Sequence, residues 1–233
     1  MKKFISLILA LLMVGVFAGC GNDAETTTDK DNKNDNIQEE IDVNADYTAV
    51  IKIKNYGEIT VELDAKTAPI TVANFVSLAK SGFYDGLTFH RIIKGFMIQG
   101  GDPEGTGMGG SDENIKGEFA ANGVKNDIKH DRGVISMARS GSAYEQYLSM
   151  GYKFADLPAQ AQSDIKRAFN SASSQFFIMH EDSPHLDGQY AAFGKVVKGI
   201  EVVDAVAENT PVTDGNGTVL RQNQPVIEKI TIK

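Results

Sequence analysis

Alternation of apolar and polar residues dominates the chain from residue 47 onward. It starts with YTAVIKIK at 47–54, followed by the turn residues 55–57 and by EITVELD at 58–64, a pattern typical of a β-hairpin. Six more short runs have the apolar character of strands, and they lie at 88–93, 96–100, 133–138, 175–179, 191–197 and 226–232. The pattern therefore predicts eight short strands.

Helical spacing occurs in two places between these strands. In 70–82, four apolar residues recur on one face, and Gly82 occupies the position where a helix usually ends. A second helix is predicted at 200–208. Many short strands with only two regular helices are typical of a closed antiparallel barrel capped by two helices, because closure removes exposed strand edges. We therefore predict a mainly β, eight-stranded closed barrel.

The segment 141–171 interrupts the strand pattern. Tyr144 and Tyr147 share one helical face, Ile165 and Phe169 share another, and Pro158 is well placed to begin a helix. The segment is predicted to be a helical insertion in a loop of the barrel.

The first twenty residues, MKKFISLILALLMVGVFAGC, have the composition of an export signal: two lysines, an apolar run over 4–17, and small residues before the cysteine. The run is shorter than the roughly 20 residues that a transmembrane helix needs. Residues 17–20, FAGC, resemble the lipobox of bacterial lipoproteins, in which the cysteine becomes the lipidated N-terminus. We expect a signal peptide at 1–19 and lipidation of Cys20, the alternative being a secretory signal with an incidental cysteine.

Residues 20–46 are predicted to form a disordered acidic tether after the lipidated N-terminus, since they contain almost no apolar side chains that a fold could bury. Nine acidic residues and two lysines give 21–46 a net charge of −7, whereas Lys2 and Lys3 contribute +2. Because the whole chain has a net charge of −8, about −3 remains for the domain at 47–233. A domain without a basic surface is not expected to bind nucleic acid.

The sequence FHRIIKGFMIQGGD at 89–102 places two polar side chains in an otherwise apolar stretch. Alternation puts Arg91 and Gln99 on the same face, but a straight strand would separate them by about 26 Å, at about 3.3 Å per residue. They can serve one ligand only if the chain bends, and Lys94–Gly95 is the place for that bend. A bend there would set an apolar patch beside a guanidinium and an amide.

Other familiar chemistries lack support in the sequence. GTGMGG at 105–110 fits the dinucleotide pattern G-x-G-x-x-G, but no helical period follows it, so we expect a loop. The four histidines do not have the spacing of metal ligands, and no G-x-S-x-G motif surrounds a serine. We expect neither a metal nor a cofactor, and a secreted hydrolase has no motif to support it.

Four motifs in order resemble those of cyclophilins, the peptidyl-prolyl isomerases: 89–102, then GVISMAR at 133–139, SSQFFIM at 173–179 and HLDGQYAAFGKVVKG at 185–199. The resemblance implies an eight-stranded barrel with two capping helices and a groove on its outer surface. It implies catalytic roles for Arg91, Gln99 and Phe177. It also implies substrate-binding roles for His90, Phe96, Met97, Ala138, Arg139, Gln175, His185, Leu186 and Tyr190.

This chain departs from the pattern of many cyclophilins at three positions. It has Tyr190 where they have His, His185 where they have Trp, and Arg139 where they have Asn. The cation at Arg139 is expected to favour acidic residues beside the proline, and the tyrosines of 141–171 are expected to extend the groove. We predict a monomeric isomerase, anchored by lipid to the outer face of the membrane, that acts on proline-containing segments of exported proteins. The alternative is a binding module whose catalysis is incidental.

Overall fold

The computed structural model describes residues 41–233, in which eight strands form one antiparallel sheet. The strands are β1 (Tyr47–Ile53), β2 (Gly57–Leu63), β3 (Thr88–Ile93), β4 (Met97–Asp102), β5 (Val134–Met137), β6 (Phe176–Met179), β7 (Ala192–Lys198) and β8 (Ile227–Ile232). Their order in the sheet is β3-β4-β6-β5-β7-β2-β1-β8. The eight predicted strands are confirmed, with ends shifted by one or two residues.

The two predicted capping helices are present as α1 (Pro69–Lys80) and, numbered in chain order, α4 (Ile200–Asn209). Pro69 begins α1, where a missing backbone N–H costs nothing, and Gly82 follows its end with a φ of +76°. The apolar face of α1 is buried as its spacing predicts, through Val72, Phe75, Val76 and Ala79. Both helices pack against the sheet, α1 on β8 and α4 on β2 and β4.

The segment 141–171 is helical, as predicted. It contains α2 (Tyr144–Ser149), a short 3-10 turn (Phe154–Asp156) and α3 (Ala159–Phe169), and Pro158 immediately precedes α3. Ile165 and Phe169 of α3 are buried. The segment therefore packs onto the domain through an apolar face. Between residues 41 and 233, no helix has the length and apolar character needed to cross a membrane.

The sheet is a curled half-barrel, so the predicted closed barrel is not confirmed. The terminal strands β3 and β8 meet only near their first residues, where Thr88 forms an isolated bridge with Val226. Farther along, the outer edge of β3 is paired with the loop 217–219 instead of β8: the Val219 amide donates to the His90 carbonyl (3.0 Å) and the Ile92 amide to the Gly217 carbonyl (2.8 Å). The edge is thus satisfied by a loop, which sequence periodicity does not reveal.

Strands β4, β5 and β6 are covered on both faces. Their inward residues, such as Ile98 and Phe176, belong to the main core beneath α1. Their outward residues belong to a smaller cluster that includes Met97, Phe177 and Leu186. Because neighbouring residues of a strand point to opposite faces, Phe176 and Phe177 contribute to different cores. The smaller, outer cluster forms part of the candidate site.

Candidate active site

The hairpin of β3 and β4 brings Arg91 and Gln99 together. Its turn is closed by a hydrogen bond from the Phe96 amide to the Ile93 carbonyl (3.0 Å), and Gly95 within it has a φ of +80°, which a residue with a Cβ rarely adopts. Arg91 and Gln99 are paired across the two strands. The bend predicted at Lys94–Gly95 is therefore confirmed.

A row of side chains crosses the outer face of the sheet. Arg91 on β3 pairs with Gln99 on β4, Gln99 pairs with Phe177 on β6, and Phe177 pairs with Ser136 on β5. Adjacent strands lie about 4.8 Å apart, so the row places a guanidinium, an amide and an aromatic ring side by side. The row therefore runs from the polar half of the site, with Arg91 and Gln99, to its apolar half, with Phe177.

A cavity of about 410 Å³ opens above this row. Its lining includes ten of the twelve residues that the sequence predicted for the site, namely His90, Arg91, Phe96, Met97, Gln99, Ala138, Arg139, Phe177, Leu186 and Tyr190. Thr106, Gly107, Asn216 and Thr218 complete the lining. The cavity is thus an apolar notch with a cationic and an amide group on one side.

The other two predicted residues lie beside the cavity. Gln175 lines a neighbouring depression of about 580 Å³, which shares Gln99, Gly107, Ala138 and Arg139 with the cavity. His185 is exposed on the rim, where its ring stacks on that of Phe96 with the centroids 5.8 Å apart. His185 is therefore placed to shape the rim through Phe96.

Two hydrogen bonds hold the half-buried guanidinium of Arg91. Its Nε donates to the Asn216 carbonyl (2.9 Å) and its Nη1 donates to Oε1 of Gln99 (3.2 Å). In the part of the chain that the structure describes, no carboxylate forms a salt bridge with Arg91. Burial lowers the pKa of Arg91, yet an arginine remains charged at neutral pH. Since a guanidinium has five N–H donors, it retains donors for a ligand in the cavity.

A chain of amides fixes the orientation of Gln99. Nε2 of Gln175 donates to the Gly107 (3.1 Å) and Gly109 (2.7 Å) carbonyls, which can only accept. Oε1 of Gln175 must then face Gln99 and accept from its Nε2 (2.9 Å). This leaves Oε1 of Gln99 facing Arg91. Gln99 therefore orients the guanidinium through its side-chain carbonyl.

Asp102 shapes the loop that supplies these two carbonyls. Its carboxylate accepts from the amides of Glu104 (2.8 Å), Thr106 (2.9 Å) and Gly107. Burial of Asp102 raises its pKa, but the hydrogen bonds from the backbone outweigh burial and hold the pKa below its usual value. Arg91 and Gln99, which line the cavity, and Gln175 beside it, which together we call the polar wall, thus rest on a loop held by a carboxylate.

Phe177, Leu186 and Tyr190 form the opposite side of the cavity, which we call the apolar wall. The rings of Phe177 and Tyr190 meet edge to face at 5.7 Å, and the imidazole of His130 stacks on Phe177 at 6.1 Å. His130 is itself held by Asp187 (3.2 Å) and by the hydroxyl of Ser136 (3.2 Å). Burial lowers the pKa of His130, although the hydrogen bond with Asp187 opposes that shift. The apolar wall therefore rests on a buried neutral imidazole.

His90 is 5% exposed and lines the cavity. Among the described residues, neither ring nitrogen has a hydrogen-bond partner. Burial lowers the pKa of His90 most strongly, the charge of Asp102 raises it and that of Arg91 lowers it. The imidazole is therefore neutral at neutral pH and has an unused donor and an unused acceptor beside the cavity.

Sequence reasoning missed the backbone groups and supporting residues of the site. The Asn216 carbonyl lies in a loop shaped by Asp214, whose carboxylate accepts from the amides of Asn216 (2.9 Å) and Thr218 (3.1 Å). Asp102 and Asp214 each precede a glycine-rich stretch, which is the signal of an Asx-type loop. Between residues 41 and 233, no three His, Cys, Asp or Glu side chains are grouped to hold a metal.

Comparisons with known proteins show which family the chain resembles. The family model described as "Cyclophilin type peptidyl-prolyl cis-trans isomerase/CLD" matches residues 48–155 and 159–233. A peptidyl-prolyl cis-trans isomerase of Helicobacter pylori is 42% identical over 164 residues, which cover 69% of this chain and 82% of that protein. Peptidyl-prolyl cis-trans isomerase B of Bacillus subtilis is 40% identical, over 66% of this chain and 86% of its own length.

A solved structure is similar as well. A cyclophilin type peptidyl-prolyl cis-trans isomerase of Cryptosporidium parvum has a TM-score of 0.62 and 32% sequence identity, with 81% of this chain and 98% of that chain covered. The same protein crystallised in the presence of the dipeptide Ala-Pro has a TM-score of 0.60, 33% identity and coverage of 80% and 98%. From its motifs, fold and relatives, the chain belongs to the family of cyclophilin-type peptidyl-prolyl cis-trans isomerases.

Proposed function

We propose that this isomerase catalyses rotation of X-Pro bonds by donating a hydrogen bond from Arg91 to the prolyl nitrogen. The amide resists rotation because nitrogen shares its lone pair with the carbonyl, which gives a barrier of about 18–20 kcal/mol. A donor directed at the nitrogen stabilises the twisted state, in which the lone pair is localised. The observation that carries the proposal is the position of Arg91, beside an apolar notch and with donors to spare.

The size of the effect requires both walls of the cavity. Shortening the exchange from about 100 s to about 1 ms is a factor of about 10⁵, or about 7 kcal/mol. A hydrogen bond from a charged group contributes only about 1.5–3 kcal/mol when water competes. The apolar notch supplies the rest by gripping the prolyl ring and by excluding water around the guanidinium.

Gln99 and His90 have supporting roles in this mechanism. Gln99 holds the guanidinium by accepting from Nη1 of Arg91, so the donor is oriented before the peptide arrives. His90 has a free donor and a free acceptor among the described residues, which suits it to the backbone of the bound peptide. In agreement with this substrate class, the Cryptosporidium relative was crystallised with a dipeptide that contains proline.

The test compares Arg91→Ala and Arg91→Lys in a coupled assay on an X-Pro peptide. We expect Arg91→Ala to lower kcat/KM by about 10²- to 10³-fold, the usual cost of losing a donor to the transition state. The lysine variant should also be impaired, because it keeps the charge but lacks the planar fork that Gln99 and Asn216 hold. Arg167→Ala, on the exposed surface of α3, is the control and should leave activity unchanged.

Thermal unfolding distinguishes a chemical from a structural effect. Both Arg91 variants should unfold within a few degrees of the wild type, since Arg91 is only half-buried. If Arg91→Ala turned over near the wild-type rate, the mechanism would be wrong. A wild-type chain that binds the peptide without accelerating its isomerisation would support the alternative of a binding module.

We also propose that the enzyme works outside the cytoplasm, on exported proteins at the outer face of the membrane. The support is the sequence of 1–19 and the lipobox-like residues before Cys20, which lie outside the described residues. A diacylglyceryl group at Cys20 would supply the two acyl chains that stable anchoring needs. Mass spectrometry of the mature N-terminus tests the proposal, since an unmodified cysteine or an uncleaved leader would contradict it. Cys20→Ser should release the protein from the membrane fraction.

A further inference from the structure

Arg139 lies between the helical segment 141–171 and the cavity. Its guanidinium carbon is 4.5 Å from the ring centroid of Tyr190, in the apolar wall, and 5.0 Å from that of Phe169, the last residue of α3. The ring of Phe119 follows at 5.5 Å. These distances are within the range of cation–π contacts. One guanidinium thus contacts an aromatic ring of the cavity and an aromatic ring of the helical segment.

Hydrogen bonds tie the same side chain to the backbone at both places. Nε of Arg139 donates to the Gln189 carbonyl (3.1 Å), directly before Tyr190, and Nη1 donates to the Ser140 carbonyl (3.0 Å), directly before the segment begins. The side chain is half-buried and lines the cavity. The planar group of Arg139 therefore makes structural contacts, in addition to any contact with a substrate.

Aromatic contacts continue from Arg139 in both directions. Within the helical segment, Phe169 meets Tyr144 edge to face at 5.1 Å, and Tyr144 meets Phe154 at 6.4 Å. In the cavity, Tyr190 meets Phe177 at 5.7 Å. Arg139 thus connects the packing of α2 and α3 to Tyr190 in the apolar wall of the cavity.

We propose that Arg139 is a positioning residue, which holds Tyr190 against the helical segment 141–171 and so sets the fit of the prolyl ring in the cavity. The proposal rests on the proposed function, because it assigns the cavity to proline. It gives the segment a role in substrate fit that does not require the segment to touch the substrate.

Substitution by lysine distinguishes this role from simple attraction of acidic peptides. Arg139→Lys keeps the positive charge, so an attractive role predicts an unchanged KM for a peptide with an acidic residue beside the proline. A positioning role predicts a higher KM, because lysine lacks the flat group that stacks on Tyr190 and the Nε donor to Gln189. The two roles therefore predict different KM values for the same variant.

The experiment measures kcat and KM separately for two X-Pro peptides, one with an acidic and one with a neutral flanking residue. We expect Arg139→Lys to raise KM about fivefold for both, the cost of a lost cation–π contact, and to leave kcat within about twofold. Arg167→Lys on the exposed face of α3 is the matched control and should change neither parameter.

A second variant tests the path through the helical segment. Phe169→Leu does not touch the cavity, yet it should raise KM by a similar factor, and the double variant should be no worse than either single variant. If Phe169→Leu fails to fold, Tyr144→Leu takes its place, since Tyr144 is half-buried and packs on Phe169.

Titration with Ala-Pro separates failure of this proposal from failure of the proposed function. A wild-type chain without isomerase activity would refute the function, whereas weaker dipeptide binding by Arg139→Lys would still support the positioning role. The proposal is overturned if Arg139→Lys leaves both KM and dipeptide affinity within twofold of the wild type. It is also overturned if the effects of the two substitutions simply add.

Discussion

The two walls of the cavity are held by different forces. In the polar wall, Arg91, Gln99 and Gln175 are linked by hydrogen bonds that end on backbone carbonyls. In the apolar wall, Phe177, Leu186 and Tyr190 are held by burial and ring contacts. A hydrogen-bonded chain gives orientation but little net stability, whereas packing gives stability but tolerates small shifts. Substitutions in the polar wall should therefore mainly lower kcat, whereas substitutions in the apolar wall should raise KM and lower stability.

The largest effect is expected from truncation of the apolar wall. Phe177→Ala removes a ring that is 5% exposed and should lower the free energy of unfolding by about 3–5 kcal/mol. Among molecules that remain folded, KM should rise because the notch for the prolyl ring is lost. Denaturant unfolding and steady-state kinetics measure the two effects. A variant with normal stability and a selective loss of kcat would contradict the division between the walls.

The polar wall should respond in the opposite way. Gln99→Leu removes the side-chain amide and leaves Nη1 of Arg91 without its acceptor. We expect kcat to fall about tenfold or more, as for a lost hydrogen bond to a charged group, with KM nearly unchanged.

Gln160→Leu on the exposed face of α3 controls for the same chemical change away from the site. A larger effect of Gln99→Leu on KM than on kcat would show that Gln99 binds the substrate instead of orienting Arg91.

Lowering the pH should have a smaller effect on stability, and it should affect both walls. Burial lowers the pKa of His130, beneath the apolar wall, and of His90, beside the polar wall. The unfolded chain then binds protons that the folded chain resists, so stability is constant above about pH 7 and falls as the pH drops below about 6.5. The loss is at most about 1.4 kcal/mol per pH unit for each histidine.

The measurement is the midpoint of thermal unfolding at several pH values between 7.5 and 5. His130→Gln, which cannot titrate, should show a smaller decrease than the wild type over this range. Identical pH dependence in the two proteins would mean that His130 is not held neutral in the folded state.

Local features of the site could be predicted from the sequence because few residues separate their parts. The alternation of apolar residues and one glycine located the bend between Arg91 and Gln99, and the structure has that bend. Helical spacing located α1 in the same way. In such cases the backbone pattern and the burial pattern depend on the same short stretch of chain.

Features that depend on distant segments could not be predicted in this way. The edge of β3 is covered by residues 217–219, more than one hundred positions away, and for this reason the predicted closed barrel is not confirmed. The acceptor for Nε of Arg91 is a backbone carbonyl, which every residue possesses, so nothing in the sequence marks Asn216. Likewise, the hydrogen bond between His130 and Asp187 joins residues that are 57 positions apart. Such contacts become visible only once the sheet is assembled.

The position of the cavity on the outer face of the sheet determines how a long polypeptide can use it. The inward face of β6 belongs to the main core, so the cavity has the sheet as its floor and solvent on the opposite side. A proline in the middle of a long chain can therefore be laid across the surface, and the chain can continue in both directions. In the proposed mechanism, the substrate does not have to be threaded through the protein or presented by a free end, and release requires only that the prolyl ring leave the notch.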